Sequence, residues 1–393
     1  MAAGSATAEI VTPADGPQLA AALHAAATER KATVISGGGT KIDWGRTASR
    51  IDLVIRTSKL THVTHRFGDL TATIGAGATL LDVNRELAQH GQWLPIDSAF
   101  DGATIGGIIA TNDAGPLRHF FGTARDRVLG VTLAMTDGRL VKAGGTVVKN
   151  VAGYDLGRLV SGSFGTLAAI ESATFKVAPL PAVSGSVRIR FVSREALHQR
   201  AQALAESPLE LMAFDVHAAF TRDEAVYHLL VRVASTPVAT ATQLEAARAM
   251  TGTDADVLCD GEEAELWRNQ VRDPWTGTGA VVRLSWRPAD LSSVLALLQD
   301  MQHRVEVPIV MTGRIGTGAG TVRIDGAAPA QVAAIQQLRS ASLLGNVVVL
   351  RADPVVKDTI DVWGPMGSSA RVMDAIKRKL DPAGILNAGR GPI

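Results

Sequence analysis

The alternation of apolar and polar positions near the start of the chain predicts a helix followed by a short strand. Leu19 and Leu23 lie one helical turn apart within 13–30, a stretch made mainly of alanine and polar residues. The β-branched segment 31–36 has the composition of a strand and runs directly into three consecutive glycines, 37–39. The predicted strand therefore ends in a turn whose backbone can adopt left-handed conformations.

Further along, the same pattern predicts a second amphipathic helix and a hairpin. Residues 79–90 place their apolar positions on one face and begin with a capping box. Asp137-Gly138 separates the apolar segments 128–135 and 139–142, which is a strong signal for a β-hairpin. These elements predict an α+β domain over 1–181.

The segment 182–352 repeats one order of elements. Strand, helix, strand, strand and helix are predicted in turn over 187–251, and the same order is predicted again over 281–342. Two such units are expected to form one antiparallel sheet covered by helices. The last segment, 353–393, contains a helix with a basic last turn and then a glycine-flanked apolar coil. The fold class is therefore expected to be α+β.

Composition and charge restrict the classes of function. The 39 Lys and Arg residues balance 38 Asp and Glu residues, and no basic stripe interleaved with aromatics supports nucleic-acid binding. Cys259 is the single cysteine, so this chain alone cannot hold an iron–sulfur cluster, which needs about four thiolates. No segment approaches the ~20 apolar residues that span a bilayer, and the first 15 residues lack a signal-peptide pattern. We expect a cytoplasmic protein that reaches a membrane only through a partner.

Two glycine-rich segments are candidates for binding a phosphate group. Successive N–H groups in the turn at 37–39 can converge on an anion, although a structural tight turn is the alternative. The second segment, 102–107, is apolar and glycine-rich. Two such turns separated by strands suit a pyrophosphate held between loops better than either suits a lone turn.

Competing motifs are incomplete. Gly75-Ala76-Gly77 lacks the third Rossmann glycine, and Lys41 does not have the spacing of a P-loop lysine. His62 and His65 have no neighbouring ligand residues in sequence, so we expect no metal site there. His119 lies near the second glycine segment and either faces a cofactor or is a loop histidine bonded to backbone.

Several segments together resemble the FAD-binding PCMH-type family, also called the vanillyl-alcohol oxidase family. They are Ser36-Gly37-Gly38-Gly39-Thr40, Thr104-Ile105-Gly106-Gly107 with Asn112 and Gly115, and Arg125-Asp126-Arg127-Val128-Leu129-Gly130. The motifs at 151–156, 162–167 and 380–390 narrow the resemblance to the glycolate oxidase and D-lactate dehydrogenase branch. The resemblance is strong over 1–181 and over about 353–393, and weak between them.

The resemblance implies a two-part PCMH-type FAD-binding domain over 1–181, an antiparallel-sheet cap domain over 182–352, and a C-terminal segment, 353–393, that returns to the FAD domain. FAD would be bound non-covalently, with its pyrophosphate on backbone N–H groups of 36–40 and 104–107. Ile170 would meet the adenine through its main chain, and Asn387 would lie near the flavin. The implied cofactor-binding residues are Ser36, Gly37, Gly38, Gly39, Thr40, Thr104, Ile105, Gly106, Gly107, Asn112, Gly115, Ile170 and Asn387.

Departures from the catalytic members of that family bear on function. Those enzymes hold a divalent metal with a cap segment rich in His, Asp and Asn, whereas the comparable segment here, 311–318, has neither His nor carboxylate. Phe164 replaces a glutamate typical of their Gly-Ser-Glu-Gly turn. Both departures point to a second FAD-binding subunit of the glycolate oxidase type. Such a subunit works beside a larger FAD-containing subunit and an iron–sulfur subunit.

Three functions are therefore open at the level of sequence. The chain is a subunit of a complex that oxidises glycolate to glyoxylate, a stand-alone FAD-dependent 2-hydroxy-acid dehydrogenase, or a flavin-free structural subunit. If the chain binds the hydroxy acid itself, Arg283, Arg314 and Arg323 are candidate cations for its carboxylate, with surface salt bridging as the alternative role. No residue is identified as the catalytic base.

Overall fold

The computed structural model describes residues 8–146, 153–252 and 254–392. The chain divides into two compact units. The first comprises the residues up to 114, 122–180 and those from 365 on, and the second comprises 115–121 and 181–364. Residues 353–364 belong to the second unit, because Val356 and Val362 are buried in its core. The expected functional division into FAD domain, cap and returning tail stays a prediction.

The described helices and strands up to residue 180 are short. In chain order they are β1 (Glu9–Val11), α1 (Gly16–Thr28), β2 (Thr33–Ser36), β3 (Leu53–Arg56), β4 (Val63–Arg66), β5 (Thr71–Gly75), α2 (Leu80–Ala88), β6 (Gln92–Trp93), α3 (Ile105–Thr111), α4 (Arg118–Phe121), α5 (Ala124–Arg127), β7 (Val128–Ala134), β8 (Leu140–Gly144), α6 (Leu156–Val160), β9 (Ala169–Lys176) and β10 (Ala178–Pro179).

The remaining described elements follow residue 180. They are β11 (Val183–Phe191), α7 (Arg194–Ala205), β12 (Ala213–Phe220), β13 (Ala225–Ser235), α8 (Pro237–Thr251), β14 (Asp256–Cys259), α9 (Asp260–Arg272), β15 (Ala280–Trp286), α10 (Leu291–Val305), β16 (Ile309–Arg314), β17 (Ala319–Ile324), α11 (Ala328–Ser340), β18 (Leu344–Arg351), α12 (Pro354–Thr359) and α13 (Ser369–Leu380).

The first unit contains a small parallel sheet and a larger antiparallel sheet. The parallel sheet has the order β1-β3-β2, and the antiparallel sheet has the order β4-β5-β9-β7-β8. Leu19 and Leu23 of α1 are fully buried in one core with Ile55 of β3 and Leu386 of the C-terminal segment. The predicted hairpin is confirmed, because β7 pairs antiparallel with β8 and Gly138 in the turn has φ +85°.

The first two predicted helices are present, and their starts follow from side-chain caps. The carboxylate of Asp15 accepts from the backbone N–H of Gln18 at 2.8 Å, so α1 begins at residue 16 rather than 13. Thr79 accepts from the backbone N–H of Asp82 at 3.1 Å and donates to its carboxylate at 2.7 Å. Each cap satisfies a donor that the first helical turn leaves without an intrahelical partner.

The second unit contains one eight-stranded antiparallel sheet, which confirms the predicted α+β class. Its strand order is β14-β11-β13-β12-β16-β17-β15-β18, and the element order β-α-β-β-α occurs twice along its chain. The sheet is centred on the pairing of β12 with β16, in which Asp215 stands opposite Arg314. Alternate strand residues form a core with α7, α8, α10 and α11, which buries Phe214, Leu298 and Ile335.

The periodicity of apolar residues does not predict β14 and α9, which follow the first repeat. Trp267 of α9 packs on Ala213 and Leu230, on the side of the sheet opposite the main helical core. Its indole N–H donates to the Ser186 hydroxyl at 2.8 Å. Much of this contact is polar, so α9 lacks the wide apolar stripe by which sequence analysis recognises a helix.

The Glu263 carboxylate is the centre of that polar contact, and we expect its neutralisation to destabilise the second unit. The side chain is 3% exposed; it pairs with Arg232 at 2.9 Å and accepts from Ser184 and Ser186. Glu263→Gln should lower the free energy of unfolding by about 2 kcal/mol, the value of hydrogen bonds to a charged group. Urea denaturation measures this change in the free energy of unfolding. Glu265→Gln is the control, because Glu265 is exposed on the same helix. Equal midpoints for the two variants would contradict the expectation.

Candidate cofactor site

A cleft of about 760 Å³, open mouth included, lies in the first unit where the glycine segments meet. Its walls come from residues 35–42, 104–111 and 163–170 and from the C-terminal segment. Ten of the thirteen predicted cofactor-binding residues line it: Ser36, Gly37, Gly38, Gly39, Thr40, Thr104, Gly106, Gly107, Ile170 and Asn387. Ile105, Asn112 and Gly115 do not line the cleft.

The two glycine segments are packed backbone against backbone. A Cβ atom on Gly37 would lie 2.0 Å from the Thr104 hydroxyl oxygen, and one on Gly38 would lie 1.9 Å from the Gly102 carbonyl oxygen. Gly39 has φ +71°, a left-handed conformation that glycine adopts without strain. The glycines are therefore required by the close approach of the two loops as well as by the turn itself.

The first loop offers its backbone N–H groups to the cleft. Among the described residues, none of the N–H groups of 37–40 donates a hydrogen bond within the chain. All four residues line the cleft. Consecutive unpaired N–H groups in a glycine turn form a concave site for an anion. We call residues 37–40 the anion loop.

The second glycine segment plays a different part from the one expected. The N–H of Ile105 donates to the Ala78 carbonyl and that of Gly106 to the Ala76 carbonyl, both at 2.9 Å. The Thr104 hydroxyl accepts from the N–H of Gly107 at 3.4 Å, as the N-cap of α3. The prediction that the N–H groups of 104–107 hold a pyrophosphate is therefore wrong for Ile105 and Gly106, and it stays a prediction for Thr104 and Gly107. The N–H groups of Ile105 and Gly106 anchor α3 to the turn that follows β5, and the segment supplies a wall of the cleft.

The remaining predicted residues are placed away from the cleft or outside the described part. The Ile105 side chain is fully buried in the apolar core. Asn112 ends α3 in a left-handed conformation with φ 45°, beside Gly162. Gly115 begins the segment that clusters with the second unit. Residues 151 and 152 of the motif at 151–156 lie outside the described residues.

The C-terminal segment closes one side of the cleft by adding to the parallel sheet. The N–H of Thr33 donates to the Ile385 carbonyl, and the N–H of Asn387 donates to the Thr33 carbonyl, both at 2.8 Å. Asn387 itself has φ 45° and donates from its side-chain Nδ2 to the Phe164 carbonyl. That bond fixes the orientation of the amide, which leaves its buried Oδ1 without a partner among the described residues.

The profile of a protein family described as an FAD binding domain matches this part of the chain, over residues 7–144. The match covers β1 through β8, including the anion loop and the second glycine segment.

Curated relatives of this chain are named for 2-hydroxy acids. Glycolate oxidase subunit GlcE of Escherichia coli is 35% identical over 182 residues, 46% of this chain and 52% of GlcE. D-lactate dehydrogenase of Archaeoglobus fulgidus is 34% identical over 170 residues, 43% of this chain and 38% of that enzyme. D-2-hydroxyglutarate dehydrogenase of Xanthomonas citri pv. viticola is 28% identical, and the alignment covers 97% of this chain and 88% of that enzyme. The chain thus matches 52% of the length of GlcE and 38% of the length of the D-lactate dehydrogenase.

A solved structure shares the fold. An alkyldihydroxyacetonephosphate synthase matches with a TM-score of 0.71 and 15% sequence identity, covering 97% of this chain and 76% of the synthase. At this identity the likeness concerns the fold alone.

The residues of the cleft fit FAD. The anion loop presents unpaired N–H groups for the pyrophosphate, and the orphaned Oδ1 of Asn387 is a buried acceptor for an N–H of the ligand. The charged residues that line the cleft are Lys41 and Arg390, with no carboxylate among the lining residues that the structure describes. A dianionic dinucleotide therefore meets the N–H donors of the anion loop and no opposing carboxylate among these lining residues.

Two basic residues that line the cleft, Lys41 and Arg390, were not predicted as site residues from the sequence. Lys41 directly follows the anion loop, and its Nζ forms an ion pair with Asp113 at 3.1 Å in which both side chains are more than nine-tenths buried. The Ser98 hydroxyl donates to the same Asp113 oxygen at 2.8 Å. Arg390 reaches back to the backbone that follows Lys41. Their positions depend on contacts with residues distant in sequence, so no local motif identifies them.

The candidate carboxylate-binding arginines of the second unit are engaged within the protein. Arg314 is 6% exposed and donates to the backbone and side chain of Thr312 at 2.9 and 3.1 Å, with its Nε 3.6 Å from Asp215. The prediction that Arg314 forms a surface salt bridge is therefore wrong, because the residue is buried. Arg323 pairs with Asp325 at 3.2 Å and with Asp273 at 3.4 Å. These partners orient both guanidinium groups.

His119 does not lie on the wall of the cleft described in the first unit. It lies in the second unit, where its ring is 5.8 Å from that of Phe214, and burial lowers its pKa. Within the described residues, no group of three or more His, Cys, Asp and Glu side chains is arranged to hold a metal ion. No helix in the described part is long and apolar enough to span a membrane.

Asp273 should make the stability of the second unit sensitive to acid. The His217 Nε2 lies 2.6 Å from the carboxylate, and a hydrogen bond with His217, with a further contribution from Arg323, lowers the pKa of Asp273. Because the folded pKa is below the unfolded value of about 3.9, the stabilisation is present above that pH. It is lost as the pH falls through the folded pKa.

Asp273→Asn should therefore destabilise the protein at neutral pH, and the difference from wild type should shrink below about pH 4. Urea midpoints measured between pH 3 and pH 7 test this. Asp256→Asn, which removes an exposed partner of Arg188, is the control. A difference that stays constant across the range would contradict the assignment.

Proposed function

We propose that this chain is an FAD-dependent oxidoreductase subunit that takes part in the oxidation of glycolate to glyoxylate, with FAD bound non-covalently in the cleft of the first unit. The observation that carries the proposal is the anion loop, whose unpaired N–H groups line a cleft and which lies in the part of the chain that matches the family described as an FAD binding domain. The relatives named for glycolate, D-lactate and D-2-hydroxyglutarate support a small 2-hydroxy acid as substrate.

The roles proposed for the cleft residues follow from their contacts. The N–H groups of 37–40 bind the pyrophosphate. Thr104, Gly106 and Gly107 form a wall of the cleft that the ligand can approach closely. Ile170 of β9 and Asn387 form two further sides of the cleft. When bound, FAD supplies a two-electron acceptor for the hydrogen on the carbon that carries the hydroxyl. The residues that line the cleft would hold the cofactor in place for this transfer.

We further propose that the chain works in a complex with a larger FAD-containing subunit and an iron–sulfur subunit. The similarity to a protein named as a glycolate oxidase subunit supports this, as does the absence of a metal-binding set of residues in 311–318. A single cysteine cannot hold an iron–sulfur cluster that takes electrons onward, so a partner must supply it.

A stand-alone dehydrogenase is the second candidate, and one observation favours it. The alignment with the D-2-hydroxyglutarate dehydrogenase runs through 97% of this chain and 88% of that enzyme, so both units have counterparts in it. An active enzyme of this kind needs a base and a carboxylate-binding cation from its own chain.

The visible absorption spectrum of the purified chain tests the cofactor. We expect flavin bands, and acid denaturation should release the flavin as FAD into the supernatant. Colourless protein that does not take up added FAD would overturn the proposal and leave a flavin-free structural subunit.

Anaerobic mixing with substrate separates the two candidate functions. The FAD-loaded chain alone, mixed with glycolate, D-lactate or D-2-hydroxyglutarate, should keep its oxidised spectrum if it works as a subunit. Co-purification from the native source should then recover a larger flavoprotein and a cysteine-rich partner. Rapid bleaching by one of the acids, with no partner recovered, would establish the stand-alone dehydrogenase instead.

A further inference from the structure

We propose that Arg390 is a positioning residue that makes the anion loop selective for the pyrophosphate of its ligand. The inference rests on the proposed binding of FAD in the cleft. It concerns how a residue near the end of the chain controls the backbone that follows the anion loop, 349 residues earlier in sequence.

The guanidinium of Arg390 is bound to the main chain. Its Nη2 donates to the carbonyl of Trp44 at 2.9 Å and to the carbonyl of Ile42, and it lies 3.5 Å from the carbonyl oxygen of Lys41. The residue is 6% exposed, and burial lowers its pKa while the charge of Asp43 opposes that change. A guanidinium stays protonated in proteins, so a buried positive charge faces three carbonyl oxygens.

This arrangement fixes the backbone that directly follows the anion loop. The carbonyl oxygens of residues 41, 42 and 44 are held on the guanidinium, so they cannot turn toward a bound anion. The N–H of Ile42, in this fixed segment, donates to the Gly39 carbonyl at 3.2 Å. Because a peptide unit is planar and trans, that bond points the N–H of Thr40, in the same unit, away from the Gly39 carbonyl and leaves it for a ligand. Without Arg390, three carbonyl acceptors, two of them in buried contacts, would lose a charged donor beside an anion site.

The segment that carries Arg390 is itself fixed. Asp381 accepts from the N–H groups of Ile385 and Leu386 at 3.2 and 2.8 Å, and Lys377 binds Asp381 at 2.5 Å and the Thr166 carbonyl at 2.8 Å. The pairing of 385–387 with Thr33 continues this anchorage up to the turn at 387–390. Arg390 therefore acts from a rigid support, as a positioning group requires.

Binding of partial ligands to the apoprotein tests the proposal. FAD, ADP and riboflavin are titrated into wild type and Arg390→Met, with flavin fluorescence and calorimetry as readouts. We expect the Kd of FAD and of ADP to rise by about 10- to 100-fold, as for loss of charge-assisted hydrogen bonds. The Kd of riboflavin, which has no phosphate, should change by less than about threefold, within the uncertainty of a single contact. Arg390→Lys should recover part of the lost affinity.

Arg378→Met is the matched control, because Arg378 lies on α13 and is 77% exposed in its pair with Asp374. A loss of riboflavin binding equal to that of FAD, or unchanged ADP binding in Arg390→Met, would overturn the inference. If Arg390→Met does not fold, the same comparison is made in Arg390→Lys. A Kd that rises for ADP but not for riboflavin supports the inference, and an equal rise for both contradicts it. Wild-type protein that binds neither FAD nor ADP would refute the proposed function, and this inference with it.

Discussion

Gly38→Ala should weaken FAD binding by on the order of 100-fold while the chain remains folded, because overpacking a close contact costs about 1–3 kcal/mol. The added Cβ would lie 1.9 Å from the carbonyl oxygen and 3.1 Å from the carbonyl carbon of Gly102. Both atoms are backbone, so no side chain can move aside. The anion loop and the second glycine segment must separate, and the N–H groups then lose their convergence.

The same loop contact supplies the control. A Cβ on Gly102 would meet Thr40 Cγ2 at 3.5 Å, an ordinary contact distance. Gly102→Ala should therefore leave the Kd of FAD within about threefold of wild type. Both apoproteins are titrated with FAD, and the quenching of flavin fluorescence reports binding. Wild-type affinity in Gly38→Ala would show that the loop contact does not shape the site.

Asp381→Ala should destabilise the first unit by about 3–5 kcal/mol, because it leaves one member of a buried ion pair without its partner. The Asp381 side chain is fully buried, and its oxygens bind Lys377 and two backbone N–H groups of the C-terminal segment. All three donors lose their acceptor in the variant. The C-terminal segment should then become sensitive to protease before the rest of the chain unfolds.

Asp374→Ala provides a matched comparison on the same helix. Asp374 and Arg378 have the same i, i+4 spacing as Lys377 and Asp381, but their side chains are 42% and 77% exposed. Removing an exposed pair should change the free energy of unfolding by about 1 kcal/mol or less. Urea denaturation followed by circular dichroism gives both values. Equal shifts for the two variants would show that Asp381 does not anchor the segment.

Features of the fold that depend on local sequence were predictable, including α1, α2 and the hairpin at Asp137-Gly138. The meeting of the two glycine segments was also predicted, because each carries its own turn signal. The hydrogen bonds of those segments were not. Whether the N–H groups of Ile105 and Gly106 are available depends on carbonyls nearly 30 residues earlier, at Ala78 and Ala76.

Long-range polar contacts account for the other omissions. Arg390 binds carbonyls more than 340 residues away, and no periodicity links the two segments. Helix α9 is held in part by the polar contacts of Glu263 and Trp267, so apolar spacing gives little sign of it. Arg314 was expected at the surface, as arginines usually are, because the buried carboxylate of Asp215 that receives it lies on a different strand.

The addition of 385–387 to the edge of β2 has a consequence for biosynthesis. Thr33 leaves the ribosome long before Leu386 is translated, and the whole second unit is made between them. During that interval the anion loop exists without the strand that flanks it and without Arg390. Cofactor loading must therefore follow completion of the C-terminal segment, so a ribosome-stalled chain that ends before residue 381 should not retain FAD.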